Sequence, residues 1–154
     1  MLVAQAPGKE ENEKGEMFIG PSGKILDELL KKAKIKRNGI WMTNLVKCML
    51  PDCRKPKPEE INSCSQYLDQ EIELVNPRII APLGWYATLY ILKKYNLSIP
   101  NQKPAVFGKL LVAGDKKIYP LSHPASILYN ESYREKMERD YKKLRHIVSL
   151  YKSS

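Results

Sequence analysis

The sequence lacks the features that would place it in a membrane or among secreted disulfide-rich scaffolds. No apolar run reaches about 18 residues, and the apolar opening, residues 1–4, is too short for a signal sequence. With only three cysteines, an even disulfide framework is not expected. Repeats and low-complexity tracts are also missing. We therefore expect a cytoplasmic chain that folds as a single domain over residues 1–154, since 43% hydrophobic residues can supply a core.

Acidic residues are too few to balance the basic ones. The chain has 26 Lys and Arg against 17 Asp and Glu, which gives a formal net charge of +9 at pH 7. Such an excess favours a polyanionic partner such as nucleic acid. It is equally typical of the lysine-rich, solvated surfaces of many thermophilic proteins, so charge alone leaves both interpretations open.

Strand-like and helix-like patterns alternate along the chain. Short apolar runs predict strands at residues 1–4, 40–46 and 78–83 and a hairpin at 110–114 and 117–121. Apolar residues at helical spacing predict helices at residues 24–35, 59–75, 84–95 and 132–151. This alternation predicts a three-layer α/β/α fold with a central, mainly parallel four-stranded sheet and a ligand site near the carboxyl ends of the strands.

Polar and aromatic residues follow the predicted strands. His123, one of two histidines, comes just after the apolar run 117–121, and Pro124 prevents a helix from starting earlier. Asn44 lies in the second strand segment, and its amide can both donate and accept hydrogen bonds. With Phe18 and the loop 5–12, these residues would suit a small planar ligand. Each also has a structural interpretation: a lone histidine is often only structural, Asn44 could be a cap and Phe18 part of the core.

The order of short motifs resembles the uracil-DNA glycosylase superfamily. It is most similar to family 4, the iron-sulfur type, whose pattern runs GEAPG, PFVG, TNxVKC, a proline-rich link and HPA. The resemblance covers nearly the whole chain, with several motifs in the same order and at similar intervals. The matching segments are Gln5-Ala6-Pro7-Gly8, Phe18-Ile19-Gly20, Thr43-Asn44-Leu45-Val46-Lys47-Cys48, Pro56-Lys57-Pro58-Glu59-Glu60, Leu83-Gly84 and His123-Pro124-Ala125.

The resemblance implies a monofunctional hydrolase that flips uracil out of DNA and hydrolyses its N-glycosidic bond, which starts base-excision repair. His123 matches the catalytic histidine, which stabilises negative charge on uracil O2. Glu11 matches an acidic position and is our candidate for placing the attacking water or stabilising the sugar cation. The implied uracil-binding residues are Phe18, which stacks on the base, Asn44, which distinguishes it from cytosine, and Gln5 and Ala6, which offer backbone contacts.

The implied partner is uracil-containing DNA, and no membrane partner is expected. Ile127 or Leu128 would serve as the apolar wedge that fills the gap left by the flipped nucleotide. Ser22 and Ser126 are candidate phosphate contacts. A replication clamp is a further candidate partner, to which no residue is assigned. A salt-dependent grip on the DNA backbone would come from basic residues that include Lys24, Lys47, Arg54, Lys55 and Lys57.

Family 4 also holds a 4Fe-4S cluster with four cysteines, two of them in a C-x-x-C ahead of the first strand. Cys48 and Cys64 match the later pair, and Cys53 is an extra cysteine in the connecting loop. Three cysteines rarely hold such a cluster without another donor, so we expect an incomplete cluster site. Cys48 and Cys64 would then be reduced or paired relics, or an upstream segment lies outside this sequence. No cofactor is expected to take part in catalysis.

The first motif also departs from the family pattern. Gln5 stands where the family usually has Glu, Ala4 where it usually has Gly, and Asn12 replaces a common Asp, so less negative charge surrounds Glu11. These departures leave an alternative open: a catalytically weakened DNA-binding or partner-binding protein on the same fold. A general small-molecule hydrolase is a more distant alternative that depends on fold alone.

Overall fold

The computed structural model describes residues 1–152, apart from the side chain of Pro104. Its strands are β1 (Leu2–Ala4), β2 (Met42–Asn44), β3 (Ile79–Pro82), β4 (Leu111–Ala113) and β5 (Lys116–Ile118). Its α-helices are α1 (Lys9–Lys14), α2 (Pro21–Lys32), α3 (Pro58–Val75), α4 (Trp85–Lys94), α5 (Ala125–Tyr129) and α6 (Arg134–Tyr151).

The strands form one sheet in the order β2-β1-β3-β5-β4. Strands β2, β1, β3 and β5 run parallel, whereas β4 pairs with β5 in the antiparallel direction. The predicted α/β fold with a mainly parallel sheet is confirmed. The described sheet has five strands rather than the predicted four, because the first arm of the hairpin pairs with β5 and adds an edge strand.

Helices cover both faces of the sheet, because successive side chains of each strand point to opposite faces. In β1, Leu2 and Ala4 belong to one core cluster and Val3 to the other. The first cluster includes buried side chains of α2, α5 and α6, and the second includes those of α3 and α4. The three layers therefore follow the alternation of apolar side chains along the strands.

All four predicted helices are present, with shifted boundaries. Helix α2 begins at Pro21 rather than residue 24, since proline suits the first helical position. The five predicted apolar residues of this segment are buried: Ile25, Leu26, Leu29, Leu30 and Ala33. The apolar face predicted for α3 is only partly correct, because Leu68 and Ile72 are buried whereas Val75 is exposed. No helix in the described part of the chain has both the length and the apolarity needed to cross a bilayer.

The edge of the sheet where the parallel strands end brings distant segments together. Strand β5 ends at Ile118, but its pairing with β3 continues beyond it. The N–H of Leu121 donates to the carbonyl of Pro82 at 2.9 Å, and the N–H of Gly84 donates to that of Leu121 at 2.8 Å. This continued pairing carries the chain to His123 at the same edge that receives Asn44 from β2. Asn44 and His123 therefore lie at the same edge of the sheet, with the ends of β1 and β3 between them.

Candidate active site at the carboxyl edge of the sheet

His123 is half-buried at this edge, and its surroundings favour the neutral imidazole. Burial lowers the pKa of His123 from 6.5 to about 4. Its Nδ1 accepts a hydrogen bond from the N–H of Ala125 at 3.0 Å, so the proton of the neutral ring is assigned to Nε2. The side chain can therefore donate a hydrogen bond from Nε2 at neutral pH.

Phe18 faces this imidazole. The two ring centroids are 6.1 Å apart, and the ring planes are inclined at 34°. Phe18 is only 6% exposed, and its φ of +50° lies in the left-handed region, which residues with side chains rarely adopt. A planar ligand that stacked on an exposed part of Phe18 would have one edge near His123.

The segment that carries Phe18, residues 17–20, is held by side chains from two other elements. The Glu11 Oε1 atom, from α1, accepts hydrogen bonds from the N–H groups of Ile19 at 3.2 Å and Gly20 at 3.0 Å. Arg37 donates from Nη1 to the Phe18 carbonyl at 3.0 Å and from Nη2 to the Met17 carbonyl. Glu11 is thus a structural partner of this segment, in addition to its predicted role in catalysis.

Asn44 lies at the end of β2 and is buried. Its Nδ2 donates to the Sδ atom of Met17 at 3.3 Å, a contact with a weak acceptor. A cavity of about 330 Å³ adjoins this amide, and its lining includes Glu11, Met17, Asn44 and Lys47. The structure therefore brings Asn44 and Glu11 to one cavity, whose lining does not include Phe18 or His123.

Gln5 and Ala6 follow β1 directly and are half-buried. The carbonyl of Gln5 accepts a hydrogen bond from the N–H of Val46 at 2.8 Å, so this carbonyl extends the pairing of β1 with β2. Ala6 packs against the second core cluster. Both residues lie at the edge that holds Asn44. The carbonyl of Gln5, one of the backbone groups predicted to contact a ligand, already has a hydrogen-bond partner within the protein.

The two wedge candidates differ in exposure. Ile127 is buried, at 3% exposure, in the first core cluster, so it is not available to enter DNA. Leu128, the next residue of α5, is 50% exposed. The prediction of Ile127 or Leu128 is therefore narrowed to Leu128. Ser22 and Ser126 are half-buried in the first turns of α2 and α5.

Two of the five basic residues predicted to grip DNA are engaged within the protein. Lys47 donates from Nζ to Thr43 Oγ1 at 2.7 Å and also pairs with Glu71. Arg54 donates to both carboxylate oxygens of Glu60 at 2.7 Å, and this contact lowers the pKa of the Glu60 carboxyl to about 2. The basic side chains of that set that remain exposed are Lys24, Lys55 and Lys57.

The cysteines do not form a cluster site in the part of the chain that is described. Cys48 and Cys53 are exposed, Cys64 is half-buried, and no disulfide joins any of the three. The Sγ of Cys64 accepts a hydrogen bond from the N–H of Lys47 at 3.5 Å. Within residues 1–152, no group of three or more Cys, His, Asp or Glu side chains could hold a metal ion. These residues do not by themselves fit a four-ligand cluster.

Sequence patterns missed three residues of this site. Arg37 lies in a short turn before β2, outside every motif, and Met17 stands at the first position of the PFVG pattern, to which no role was predicted. Gly23 lies in the first turns of α2, and a Cβ at this position would be 1.9 Å from the Phe18 carbonyl oxygen. A glycine near the start of a helix was the one available signal, since it can mark a close backbone approach.

The fold and the residues at the carboxyl edge of the sheet together indicate the class of protein. A mainly parallel α/β sheet presents a neutral imidazole, an aromatic ring and a buried amide at its carboxyl edge, an arrangement suited to a small planar ligand. The model of the uracil DNA glycosylase superfamily matches residues 1–146. The chain belongs to this superfamily.

Similar proteins agree with this assignment. A type-4 uracil-DNA glycosylase of Sulfurisphaera tokodaii is 38% identical over 96% of this chain and 69% of its own length. The type-4 uracil-DNA glycosylase of Archaeoglobus fulgidus is 35% identical over 94% of this chain and 74% of its own length. That of Saccharolobus solfataricus is 37% identical over 97% of this chain and 71% of its own length. The resemblance to family 4 is thereby confirmed.

Proposed function

We propose that this chain is a monofunctional uracil-DNA glycosylase that removes uracil from DNA and so starts base-excision repair. The observation that carries the proposal is the neutral imidazole of His123, with its proton on Nε2, opposite the ring of Phe18. Relatives named type-4 uracil-DNA glycosylases, at 35–38% identity over nearly the whole chain, support it. The single domain and the cytoplasmic location stay predictions.

Recognition would begin with extrusion of the uracil nucleotide from the DNA, since the base cannot be reached inside a duplex. The base stacks on Phe18, and the amide of Asn44 bonds to its edge. Uracil has a carbonyl at position 4 and an N–H at position 3, whereas cytosine has an amino group and an unprotonated nitrogen, so one amide orientation suits only uracil. Met17 Sδ accepts only one of the two Nδ2 hydrogens of Asn44, so the other hydrogen and Oδ1 remain for the base.

Bond cleavage would then depend on stabilising the leaving group. As the bond between C1′ and N1 breaks, its electron pair moves into the uracil ring and negative charge grows on O2. A hydrogen bond from His123 Nε2 to O2 would stabilise that charge without transfer of the proton. The half-buried imidazole is suited to this role because its low pKa keeps it neutral at physiological pH.

Glu11 is our candidate for the second half of the reaction. Its carboxylate lines the cavity next to Asn44, and Oε1 is held by two backbone N–H groups. Oε2 lies beside Gly8, where an added Cβ would be 2.6 Å away, so a glycine leaves space at this oxygen. A water that this carboxylate orients would bond to C1′ and give a proton to the carboxylate, which passes it to solvent, while the released uracil anion takes up a proton from solvent. The same carboxylate places a negative charge near the developing sugar cation. These steps use only side chains and water.

The DNA itself would be held around this edge. Leu128, exposed on α5 five residues after His123, is the candidate wedge. Ser22 and Ser126 are candidate phosphate contacts, and the exposed lysines Lys24, Lys55 and Lys57 would add a sequence-independent attraction.

The proposal is tested with an oligonucleotide that contains one uracil, treated with alkali after incubation with the chain. We expect strand cleavage at the uracil and none in a matched oligonucleotide with thymine at that position. If the wild-type chain binds this DNA but leaves it uncleaved, the alternative of a catalytically weakened DNA-binding protein is correct instead. If it neither binds nor cleaves, both interpretations fail.

A further inference from the structure

We propose that Arg37 is a positioning residue that fixes the stacking ring of Phe18, together with Glu11. The inference rests on the proposed function, since it concerns the ring on which uracil would stack. Arg37 and Glu11 form what we call the backbone clamp, because together they bind one backbone group of each residue from 17 to 20. Neither the sequence motifs nor the comparisons assign a role to Arg37.

The clamp divides the segment between its two side chains. Arg37 takes the two carbonyl groups, those of Met17 and Phe18, through separate guanidinium nitrogens. Glu11 takes the two N–H groups, those of Ile19 and Gly20, through one carboxylate oxygen. Each of these two carbonyl groups thus meets a donor side chain, and each of these N–H groups meets an acceptor. The path of the segment therefore does not depend on the hydrogen bonds of a regular helix or strand.

The segment needs such support because Phe18 has an unfavourable backbone conformation. Its φ of +50° persists in proteins only where surrounding contacts determine it. Gly23 contributes by its lack of a side chain, since a Cβ there would lie 1.9 Å from the Phe18 carbonyl oxygen. Without the clamp, Phe18 would relax toward an ordinary conformation and its ring would turn away from His123.

Arg37 is itself held in place, and its chemistry suits two acceptors at once. Nη1 also donates to Asp27 Oδ1 at 2.7 Å, so α2 orients the guanidinium. A planar guanidinium can reach two neighbouring carbonyl groups in fixed directions, which a lysine ammonium on a flexible stem does not reproduce. Arg37 would thus act on the placement of the Phe18 ring, whose centroid is 6.1 Å from that of His123, through the Phe18 backbone.

A double-mutant cycle tests this inference. The four proteins are the wild type, Arg37→Ala, Phe18→Ala and the double variant, measured for kcat/KM on the uracil oligonucleotide and for inhibition by free uracil. We expect Arg37→Ala to lower kcat/KM by about 10- to 100-fold and to weaken uracil inhibition, since small displacements of a binding group have effects of this size. In the Phe18→Ala background, the same change should alter both quantities by less than about twofold, because Arg37 acts through that ring.

Three further variants keep the test decisive. Arg139→Ala removes an exposed ion pair with Glu135 on α6 and should behave as wild type. Asp27→Ala loosens Arg37 indirectly and should give a smaller loss than Arg37→Ala. Arg37→Lys keeps the charge but not the two directed bonds, and it should lose activity in the same direction while retaining the wild-type melting temperature. If Arg37→Ala does not fold, Arg37→Lys replaces it in the cycle.

The inference is overturned if Arg37→Ala and Arg37→Lys both match the wild type, or if their losses are undiminished in the Phe18→Ala background. Additive losses of that kind would show a general structural role. An inactive wild-type chain would overturn the proposed function instead. In that case the affinity of the chain for free uracil would test the clamp. Arg37→Ala should weaken this affinity in the wild-type background and leave it unchanged in the Phe18→Ala background.

Discussion

The imidazole of His123 and the ring of Phe18 lie 6.1 Å apart at the carboxyl edge of the sheet. They reach this position by different routes: Phe18 precedes α2 within a segment held by Glu11 and Arg37, whereas His123 follows the continued pairing of β5 with β3. A base stacked on one ring would present an edge to the other. This relationship is the geometric basis of the proposed reaction.

Replacing His123 should slow the chemical step more than it weakens DNA binding. We expect His123→Ala to lower the single-turnover rate by about 100- to 1000-fold, the usual effect of removing one donor to a developing negative charge. His123→Gln, which retains a side-chain N–H, should lose less. Single-turnover assays on the uracil oligonucleotide measure both rates, and wild-type activity in His123→Ala would remove this residue from the mechanism.

The pH dependence follows from the direction of the His123 shift. Its pKa falls from 6.5 to about 4 on folding, so the imidazole should stay neutral as the pH drops through 6.5. Activity should therefore not show an acidic limb at 6.5 from this group. Titration of the His123 ring by NMR checks this, with a His146→Gln variant to assign the two signals, and a midpoint near 6.5 would contradict it.

The same shift affects stability. Between pH 6.5 and 4 the unfolded chain binds a proton at His123 that the folded chain does not. Protonation therefore stabilises the unfolded state relative to the folded state as the pH falls. The contribution of His123 to the free energy of unfolding should thus be full above pH 6.5 and decline toward pH 4. Denaturant unfolding of the wild type and His123→Gln across this window measures it, and parallel curves would disprove the linkage.

Asn44 should control the choice of base. Asn44→Asp presents acceptors where the amide presents a donor and an acceptor, so we expect uracil removal to fall by about 10- to 100-fold and the uracil-to-cytosine ratio to shrink. Paired oligonucleotides with uracil or cytosine at one position measure this ratio. Because Asn44 is buried, the melting temperature of the variant must be measured as well. An unchanged ratio in a folded variant would show that Asn44 does not read the base.

Leu128 should matter for duplex DNA and much less for single strands. Truncation in Leu128→Ala removes the exposed side chain proposed to fill the gap in the duplex, so duplex cleavage should slow while single-strand cleavage changes little. Leu150→Ala, at a leucine of α6 that is 58% exposed, is the matched control. Equal losses on both substrates would argue against a wedge.

The cysteines allow a direct chemical test. Because residues 1–152 hold no group of three candidate metal ligands, iron and sulfide analysis of this chain should find less than one 4Fe-4S cluster per molecule, even after reconstitution. A Cys48→Ser/Cys64→Ser variant sets the background. A stoichiometric cluster with absorbance in the blue, lost in that variant, would show that these cysteines hold a cluster with additional donors.

The sequence by itself determined the four longest helices and the strands of this protein, and the residues that lie at its functional edge, but not the short helices α1 and α5. Helical spacing of Leu26, Leu29 and Leu30 predicted a buried helix face, and short apolar runs predicted parallel strands, because burial periodicity is a local property of the chain. The parallel strands then required Asn44 and His123 to share one edge. The order of the motifs also indicated the family, because that order can be found in the sequence without any distance between atoms.

Only the tertiary structure decided which side chains are exposed to a ligand and which protonation state they have. Ile127 and Leu128 are adjacent and equally apolar, yet one is in the core and the other in solvent. Likewise, Lys47 is engaged by Glu71, and Arg37 reaches back to residues 17 and 18. These outcomes, like the low pKa of His123, depend on burial and on neighbours that are distant in sequence. The spacing of residue types along the chain specifies neither the burial of a side chain nor its distant neighbours.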